Sequence, residues 1–282
     1  MRKTYNPYIQ DDGRKIFVQS YCVYFDILGF SDEIQNIKTN GLNFFNKYLN
    51  VLNKIIEHIT ENNNFGDDNK NKRFELKIFT DNFVIGFPIQ DDGETEFGEI
   101  FDLLSYIQLE FIKNDIFIKG AISYSNLYMD NNIVIGQALI DAYQLEEKSA
   151  IFPRVILSKE VSKKMLVHID YYANKKISPQ NKRLLIDKDG FYFINYLNYF
   201  LDFFVDGEGE EVYSYIEIEL IKHKNIVINK INSYSDNFRV YEKYIWIANY
   251  HNYFCENFLN PDNYNLQNLL IDKKHFKTIS TL

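Results

Sequence analysis

Two carboxylates stand where chemistry could be done. Asp26 lies inside Tyr24-Phe-Asp-Ile-Leu-Gly-Phe-Ser31, and Asp81 inside Lys77-Ile-Phe-Thr-Asp-Asn-Phe-Val84. The first closes an apolar run, Tyr21 to Leu28, that breaks at Gly29 before a helix-like segment starting at Ser31. The second lies between two short β-like runs, Phe74–Phe79 and Phe83–Phe87, with Asp81-Asn82 read as the turn. A carboxylate ending a core strand and another at a hairpin tip are hard oxygen donors, suited to holding divalent metals over a phosphate. Alone, Asp81 reads first as a turn former. Asp26 is harder to dismiss, because a carboxylate within Tyr24–Leu28 is costly to bury unpaired.

The elements that must position this pair can be read from periodicity. A buried strand is expected over Ser20–Leu28. A long amphipathic helix follows from about Ser31 to Thr60, with Ile34, Ile37, Leu42, Phe45, Leu49, Leu52 and Ile56 at helical spacing. A polar loop, Asn62–Lys72, leads to the hairpin. An acidic loop, Asp91–Glu96, precedes a helix near Ile100–Lys113 and a strand over Ile116–Tyr124. After a polar turn, Met129–Asn132, come a short helix from Gln137 to Lys148, a strand over Arg154–Leu157 and a helix begun by Ser158. This β-α-β-β-α-β order with an α-β extension is the split βαβ, ferredoxin-like pattern of an α+β domain. Such a sheet sets the first strand antiparallel beside the third, so topology alone brings Asp26 next to Asp81.

Residues 1–165 are read as this domain and 166–282 as a mixed, mainly helical cap packed on it. The cap holds a small hairpin, Leu184–Asp187 and Phe191–Phe193, around an Asp-Gly turn, and helices near Glu208–Lys222 and Tyr234–Phe258.

Composition limits the classes available. Hydrophobic residues make up 46% of 282 and aromatics 17%, enough for a full core. A net charge of −8 argues against broad nucleic-acid binding. Cys22 and Cys255 have neither zinc spacing nor a disulfide framework, the N-terminus is polar, and the most apolar stretch, Phe191 to Val205, is short and interrupted by Asn195, Asn198 and Asp202. A cytoplasmic protein with no membrane partner is expected. The five histidines, at 58, 168, 223, 251 and 275, are scattered without ligand spacing and read as structural or exposed.

Four segments in register carry a resemblance. Phe25-Asp-Ile-Leu-Gly-Phe-Ser31 resembles the first metal motif of class III nucleotide cyclases, Phe-x-Asp-Ile-x-Gly-Phe-Thr/Ser. Lys77-Ile-Phe-Thr-Asp81 is similar to their second, Lys-x-x-Gly-Asp. Lys119-Gly-Ala-Ile-Ser123 resembles the Gly-Ile strand that follows, and Gly136–Glu146 resembles the Gly-x-x-Val-Asn-x-Ala-x-Arg-Leu-Glu helix. The match spans roughly residues 20–165. Phe152-Pro-Arg-Val155 and Lys243-Tyr-Ile-Trp246 extend a likeness to poorly characterised bacterial cyclase-like proteins.

The resemblance implies a ferredoxin-like palm that works as a homodimer and cyclises a nucleoside triphosphate with two Mg²⁺ or Mn²⁺ ions. Asp26, Asp81 and the Ile27 carbonyl would hold the metals, with Asp26 and Asp81 the catalytic pair. Backbone amides of Gly29, Phe30 and Ser31 would cradle phosphates, and Lys77 falls where adenine-specific members place a base-reading lysine. The helix departs from the pattern: Ile140 and Gln144 replace the Asn and Arg that serve the transition state, and Ile133 stands at the base-pocket Asp position. Lys119, Lys148 or Arg154 could supply the missing charge. Two alternatives stay open: a catalytically silent nucleotide-binding or signalling protein, and a synthase of cyclic di- or oligonucleotides.

Overall fold

A computed structural model of the chain describes residues 6–35, 42–65, 71–202, 209–272 and 274. Its first element, β1 (Val18–Ile27), carries buried side chains on both faces. Side chains alternate along a strand, so Tyr21, Val23, Phe25 and Ile27 share one face, and Ser20, Cys22, Tyr24 and Asp26 the other. The expected long helix is present as α1 (Phe30–Gln35) and α2 (Leu42–Asn62); Ile37 lies outside the described residues. The buried stripe of α2 is Tyr48, Val51, Ile55 and Ile59, whereas Leu42, Phe45, Leu49 and Ile56 are exposed. Both sets recur at helical spacing. Periodicity finds the helix, but packing selects which arc of a broadly apolar helix is covered.

After the short pair β2 (Asn64–Phe65) and β3 (Asn71–Lys72) comes the hairpin of β4 (Glu75–Phe79) and β5 (Asn82–Pro88). Phe79 pairs with Asn82, so the two-residue loop is Thr80-Asp81, one position earlier than the expected turn. Thr80 has φ +56°, a left-handed conformation uncommon for a non-glycine residue. The helix α3 (Glu94–Ile112) starts within the expected acidic loop, placing Glu94 and Glu96 in its first turn, where carboxylates favour the helix dipole.

The rest of this unit follows the expected order: β6 (Ile118–Met129), β7 (Val134–Ile135), α4 (Gln137–Ser149), β8 (Val155–Leu157) and α5 (Lys159–Ile169). The Ser158 hydroxyl caps α5 by accepting from the Val161 N–H at 3.3 Å. Then come α6 (Pro179–Arg183), β9 (Leu184–Ile186) and β10 (Tyr192–Ile194).

The main sheet runs β4-β5-β1-β6-β8-β10-β9, with β7 attached to β6. Its first four strands lie in the order that a β-α-β-β-α-β chain predicts, each antiparallel to its neighbour. Strand β8 joins β6 in parallel. The hairpin of β9 and β10, read from sequence as part of the cap, extends this sheet. Its turn carries Asp187 and Asp189, which ion-pair with the fully buried Arg154 guanidinium.

The chain divides into two compact units, 1–195 and 196–282. Among the described residues the second contains α7 (Tyr199–Asp202), α8 (Glu210–Ser233), α9 (Phe238–Phe258) and α10 (Leu266–Leu269). Within it, two scattered histidines meet: His223 Nδ1 lies 3.1 Å from His251 Nδ1, with the rings stacked. Among the described residues no helix is long and apolar enough to cross a membrane.

Candidate functional site

Asp26 reaches its neighbours through strand register. It stands directly opposite Lys119 on β6, and Lys119 Nζ lies 3.3 Å from Asp26 Oδ2. The close approach of the two strands depends on Gly120: a Cβ there would lie 2.5 Å from Phe25 Cβ and 2.6 Å from the Tyr24 carbonyl oxygen. A side chain there would clash, so Gly120 is a steric requirement of this register.

The face of the sheet that carries Asp26 and Lys119 is covered by α4. This helix buries Ala138, Ala142 and Glu146, at i, i+4 and i+8, so one stripe faces the strands. The two alanines pack among Cys22, Val84, Leu127 and Met129. The Ser123 hydroxyl donates to the Ala138 carbonyl and ties the first turn of the helix to β6. Glu146, the third member of the stripe, accepts a hydrogen bond from Lys119 and is only 4% exposed. Lys119 therefore bridges two carboxylates, one on β1 and one on α4.

Asp81 arrives from the hairpin tip. Phe25 pairs with Phe83, which sets the end of β1 beside the Thr80-Asp81 loop. Asp81 Oδ1 accepts hydrogen bonds from the Thr80 hydroxyl at 2.7 Å and the Asn82 amide at 3.1 Å. Tyr48 of α2 donates to the Thr80 carbonyl and anchors the tip. Its phenol is pushed up to about 12, first by burial and then by the Asp81 charge.

Tyr24 occupies the middle of the site. Its hydroxyl hydrogen-bonds Asn82, and its ring meets Tyr143 of α4 edge-on, with centroids 5.5 Å apart. Burial raises its pKa, and the charges of Glu146, Asp26 and Asp81 raise it further. One phenol thus feels all three carboxylates. Burial pushes the Glu146 carboxyl up while its hydrogen bond from Lys119 holds it down. For Lys119, burial favours losing the proton, but the bond to Glu146 and the Asp26 charge outweigh it, so the group stays an ammonium.

The remaining residues singled out from sequence are spread around this core. Gly29 takes φ +78°, with open space where a Cβ would be, and turns β1 into α1. Phe30 packs edge-on against Phe44 and Tyr48, and Ser31 is exposed. Asp32 and Glu33 fill the first turn of α1, so any phosphate at the Gly29–Ser31 amides meets two negative charges. Lys77 donates to the carbonyl of Asn131, in the loop that carries the exposed Ile133. Gln144 and Ile140 are exposed on α4, away from the Ala138–Ala142–Glu146 stripe. Arg154 is committed to Asp187 and Asp189.

Glu146 is the site residue that reading the sequence passed over. A glutamate four residues after Ala142 and eight after Ala138 falls on the buried side of the helix, and it also closes the Gly136–Glu146 segment; those were its signals. Among the described residues no three His, Cys, Asp or Glu side chains are grouped to hold a metal ion. Asp26, Asp81 and the Ile27 carbonyl are hard oxygen donors of the kind that would suit Mg²⁺ or Mn²⁺, which bind proteins through one or two carboxylates and leave other positions to substrate phosphates.

No protein-family model and no curated protein matches this sequence. Among solved structures, the crystal structure of the guanylyl cyclase Cya2 is similar over 63% of this chain and 91% of its own, at 10% identity and a TM-score of 0.41. Similarity at that level leaves the function to be read from the residues themselves.

Proposed function

We propose that this chain is a metal-dependent nucleotide cyclase-like protein, converting a nucleoside triphosphate to a cyclic nucleotide and pyrophosphate. The observation that supports it is the pairing of Phe25 with Phe83, which sets the strand end bearing Asp26 beside the hairpin tip bearing Asp81. The four cyclase-like segments then converge on one end of one sheet and the helix over it. Asp26, Asp81 and the Ile27 carbonyl would hold Mg²⁺ or Mn²⁺. A divalent cation there supplies charge that acidifies a ribose hydroxyl and steadies the leaving pyrophosphate.

The chain's own groups have defined tasks in this reading. Asp26 at the end of β1 and Asp81 at the tip of the β4–β5 hairpin would attract the cation. Gly29 opens the approach to the Phe30 and Ser31 amides, while Asp32 and Glu33 disfavour a triphosphate that arrives without a cation. Tyr24 keeps its proton beside three carboxylates, so its hydroxyl is a fixed dipole rather than a base. Lys77, held on the Asn131 carbonyl, marks the loop for contact with the base. Ile140 and Gln144 point away from the sheet of their own chain, so a homodimer is the arrangement in which that face of α4 meets a second copy's triphosphate.

The exposed Ile140 and Gln144 also favour a second reading, a protein that binds nucleotide without turning it over. Ile140 offers no hydrogen bond and Gln144 no charge; a missing transition-state donor lowers rates by about 10²–10³. Purified protein incubated with each of the four nucleoside triphosphates and Mn²⁺, with products resolved by mass spectrometry, tests both. A cyclic mononucleotide is expected. A cyclic dinucleotide assigns the palm to the synthase alternative, metal-dependent binding without product assigns the silent one, and neither binding nor product overturns the proposal.

A further inference from the structure

We propose that Asp130 is a positioning residue: it shapes the β6–β7 turn so that the Asn131 carbonyl holds Lys77 ready for the base. The inference rests on the cyclase-like reading, in which Lys77 meets the base, and concerns what sets that lysine in place.

Residues 130–133 form the turn between β6 and β7, which the Asp130 N–H closes by donating to the Ile133 carbonyl at 2.9 Å. Asp130 is 8% exposed. Its Oδ1 accepts from the Asn132 and Ile133 N–H groups at 2.8 and 2.9 Å, which fixes the turn from inside. Its Oδ2 accepts from the Tyr128 hydroxyl at 2.5 Å and from Lys15 Nζ at 2.9 Å, which ties the turn to its own strand and to the N-terminal segment. Asn131, Asn132 and Ile133 are exposed. The turn is therefore held at its root by one buried carboxylate and presents its tip outward.

At that tip the Asn131 carbonyl accepts a hydrogen bond from Lys77 of β4, 54 residues away in the chain. Lys77 pairs with Val84, and Val84 with Tyr24, so the lysine stands on the sheet face that carries Tyr24 and Asp26. A lysine side chain has wide rotamer freedom, and a ligand that must remove this freedom binds less tightly. One bond to a carbonyl places the ammonium in advance. An ammonium has three donors, so Lys77 can hold that bond and still donate to an acceptor on a base edge. The turn supplies the carbonyl, and Asp130 supplies the turn.

Calorimetry in the presence of Mn²⁺ tests this with two kinds of probe. The imido analogues of ATP and GTP carry a base; inorganic tripolyphosphate does not. In wild type at least one analogue should bind more tightly than tripolyphosphate. Asp130→Ala is expected to weaken that analogue about tenfold, the effect of losing a hydrogen bond from a charged group, and to leave tripolyphosphate unchanged. Asp130→Asn keeps an oxygen for the two turn N–H groups and should retain most of the affinity. In a Lys77→Met background Asp130→Ala should cost nothing more, since Asp130 acts through Lys77. Lys15→Met with Tyr128→Phe strips the two side-chain donors from Oδ2 and covers the case in which Asp130→Ala does not fold; it should weaken the analogue selectively, by about threefold. Equal losses for analogue and tripolyphosphate, or no loss in any folded variant, overturn the inference. So does a further loss from Asp130→Ala once Lys77 is methionine. A folded Lys77→Met that binds the analogues like wild type overturns the inference and leaves metal and triphosphate binding standing. No binding of either kind of probe to wild type overturns the cyclase-like reading as well.

Discussion

Lys119 and Asp26 face each other across β1 and β6 with 3.3 Å between ammonium and carboxylate, and the same ammonium bonds the buried Glu146. A strand-end aspartate that reads from sequence as a metal ligand paired with Asp81 is therefore also one member of a charged triad. Both the stability and the chemistry of the site depend on that triad.

Stability should report the triad directly. Lys119→Met leaves Glu146 buried without a counter-ion and is expected to cost about 3–5 kcal/mol. Glu146→Gln alone should cost less, because Lys119 keeps Asp26. In the double variant the losses should be well short of additive, with a coupling on the order of 1–3 kcal/mol. Urea unfolding of the four proteins measures the cycle; strict additivity would show that the pair is not energetically coupled.

Gly120→Ala tests the close approach of β1 and β6. Its new Cβ would lie 2.5 Å from Phe25 Cβ and 2.6 Å from a backbone oxygen, neither of which is a flexible side-chain end. Overpacking of this kind costs about 1–3 kcal/mol or more. A lowered melting temperature together with weakened Mn²⁺ binding is expected. A variant that melts like wild type would remove the steric argument for the register.

Asp81→Asn should separate function from folding. Asp81 is half-buried in a two-residue loop whose other member, Thr80, is exposed, and the Asn amide oxygen can still accept the Thr80 and Asn82 hydrogen bonds. Stability should change by no more than about 0.5 kcal/mol, while metal-dependent nucleotide binding falls sharply in calorimetry. Loss of an adjacent charge should also bring the Tyr48 phenol down from about 12, visible in an ultraviolet pH titration.

Restoring the helix is the most direct test of turnover. Ile140→Asn with Gln144→Arg places the two missing donors on an exposed face of α4, so melting should be nearly unchanged. If the site is an under-equipped cyclase, product formation should rise about 10²–10³-fold. An unchanged rate in a folded variant would count against the cyclase assignment of that helix.

The second unit should respond to acid through its histidine pair. His251 Nε2 donates to the Leu269 carbonyl at 3.0 Å, so its Nδ1 is bare and accepts from His223 Nδ1–H; His223 Nε2 then accepts from the Tyr196 hydroxyl. Both rings are neutral. Burial lowers His251 to about 4 against its hydrogen bond to Leu269, with the Lys224 charge lowering it further; burial lowers His223 well below its usual value, and His251 adds to that shift. The unfolded chain binds these protons near pH 6.5 and the folded one does not, so stability is full above 6.5 and declines as pH falls toward 4. Thermal melting across that window should show the decline, and a His223→Phe, His251→Phe variant that still folds should flatten it.

Much of the arrangement was legible from residue types. The strand ending at Asp26, the hairpin around Asp81, the short helix over Gln137–Lys148 and the β-α-β-β-α-β order could be read because side-chain periodicity and turn residues are local properties. That order implied the meeting of the strand end with the hairpin tip, and the β1–β5 register bears this out. Three things needed the tertiary structure. Packing chose Tyr48, Val51, Ile55 and Ile59 over an equally periodic stripe on α2, because apolar spacing names a helix but not the neighbour that covers it. The hairpin of β9 and β10 joined the sheet through strand pairing and the Arg154 ion pairs, which span more than thirty residues of chain. The Asp26–Lys119–Glu146 triad depends on cross-strand register and on the rotation of α4 over the sheet at once. Local spacing encodes neither, because both are set by how separate elements pack together.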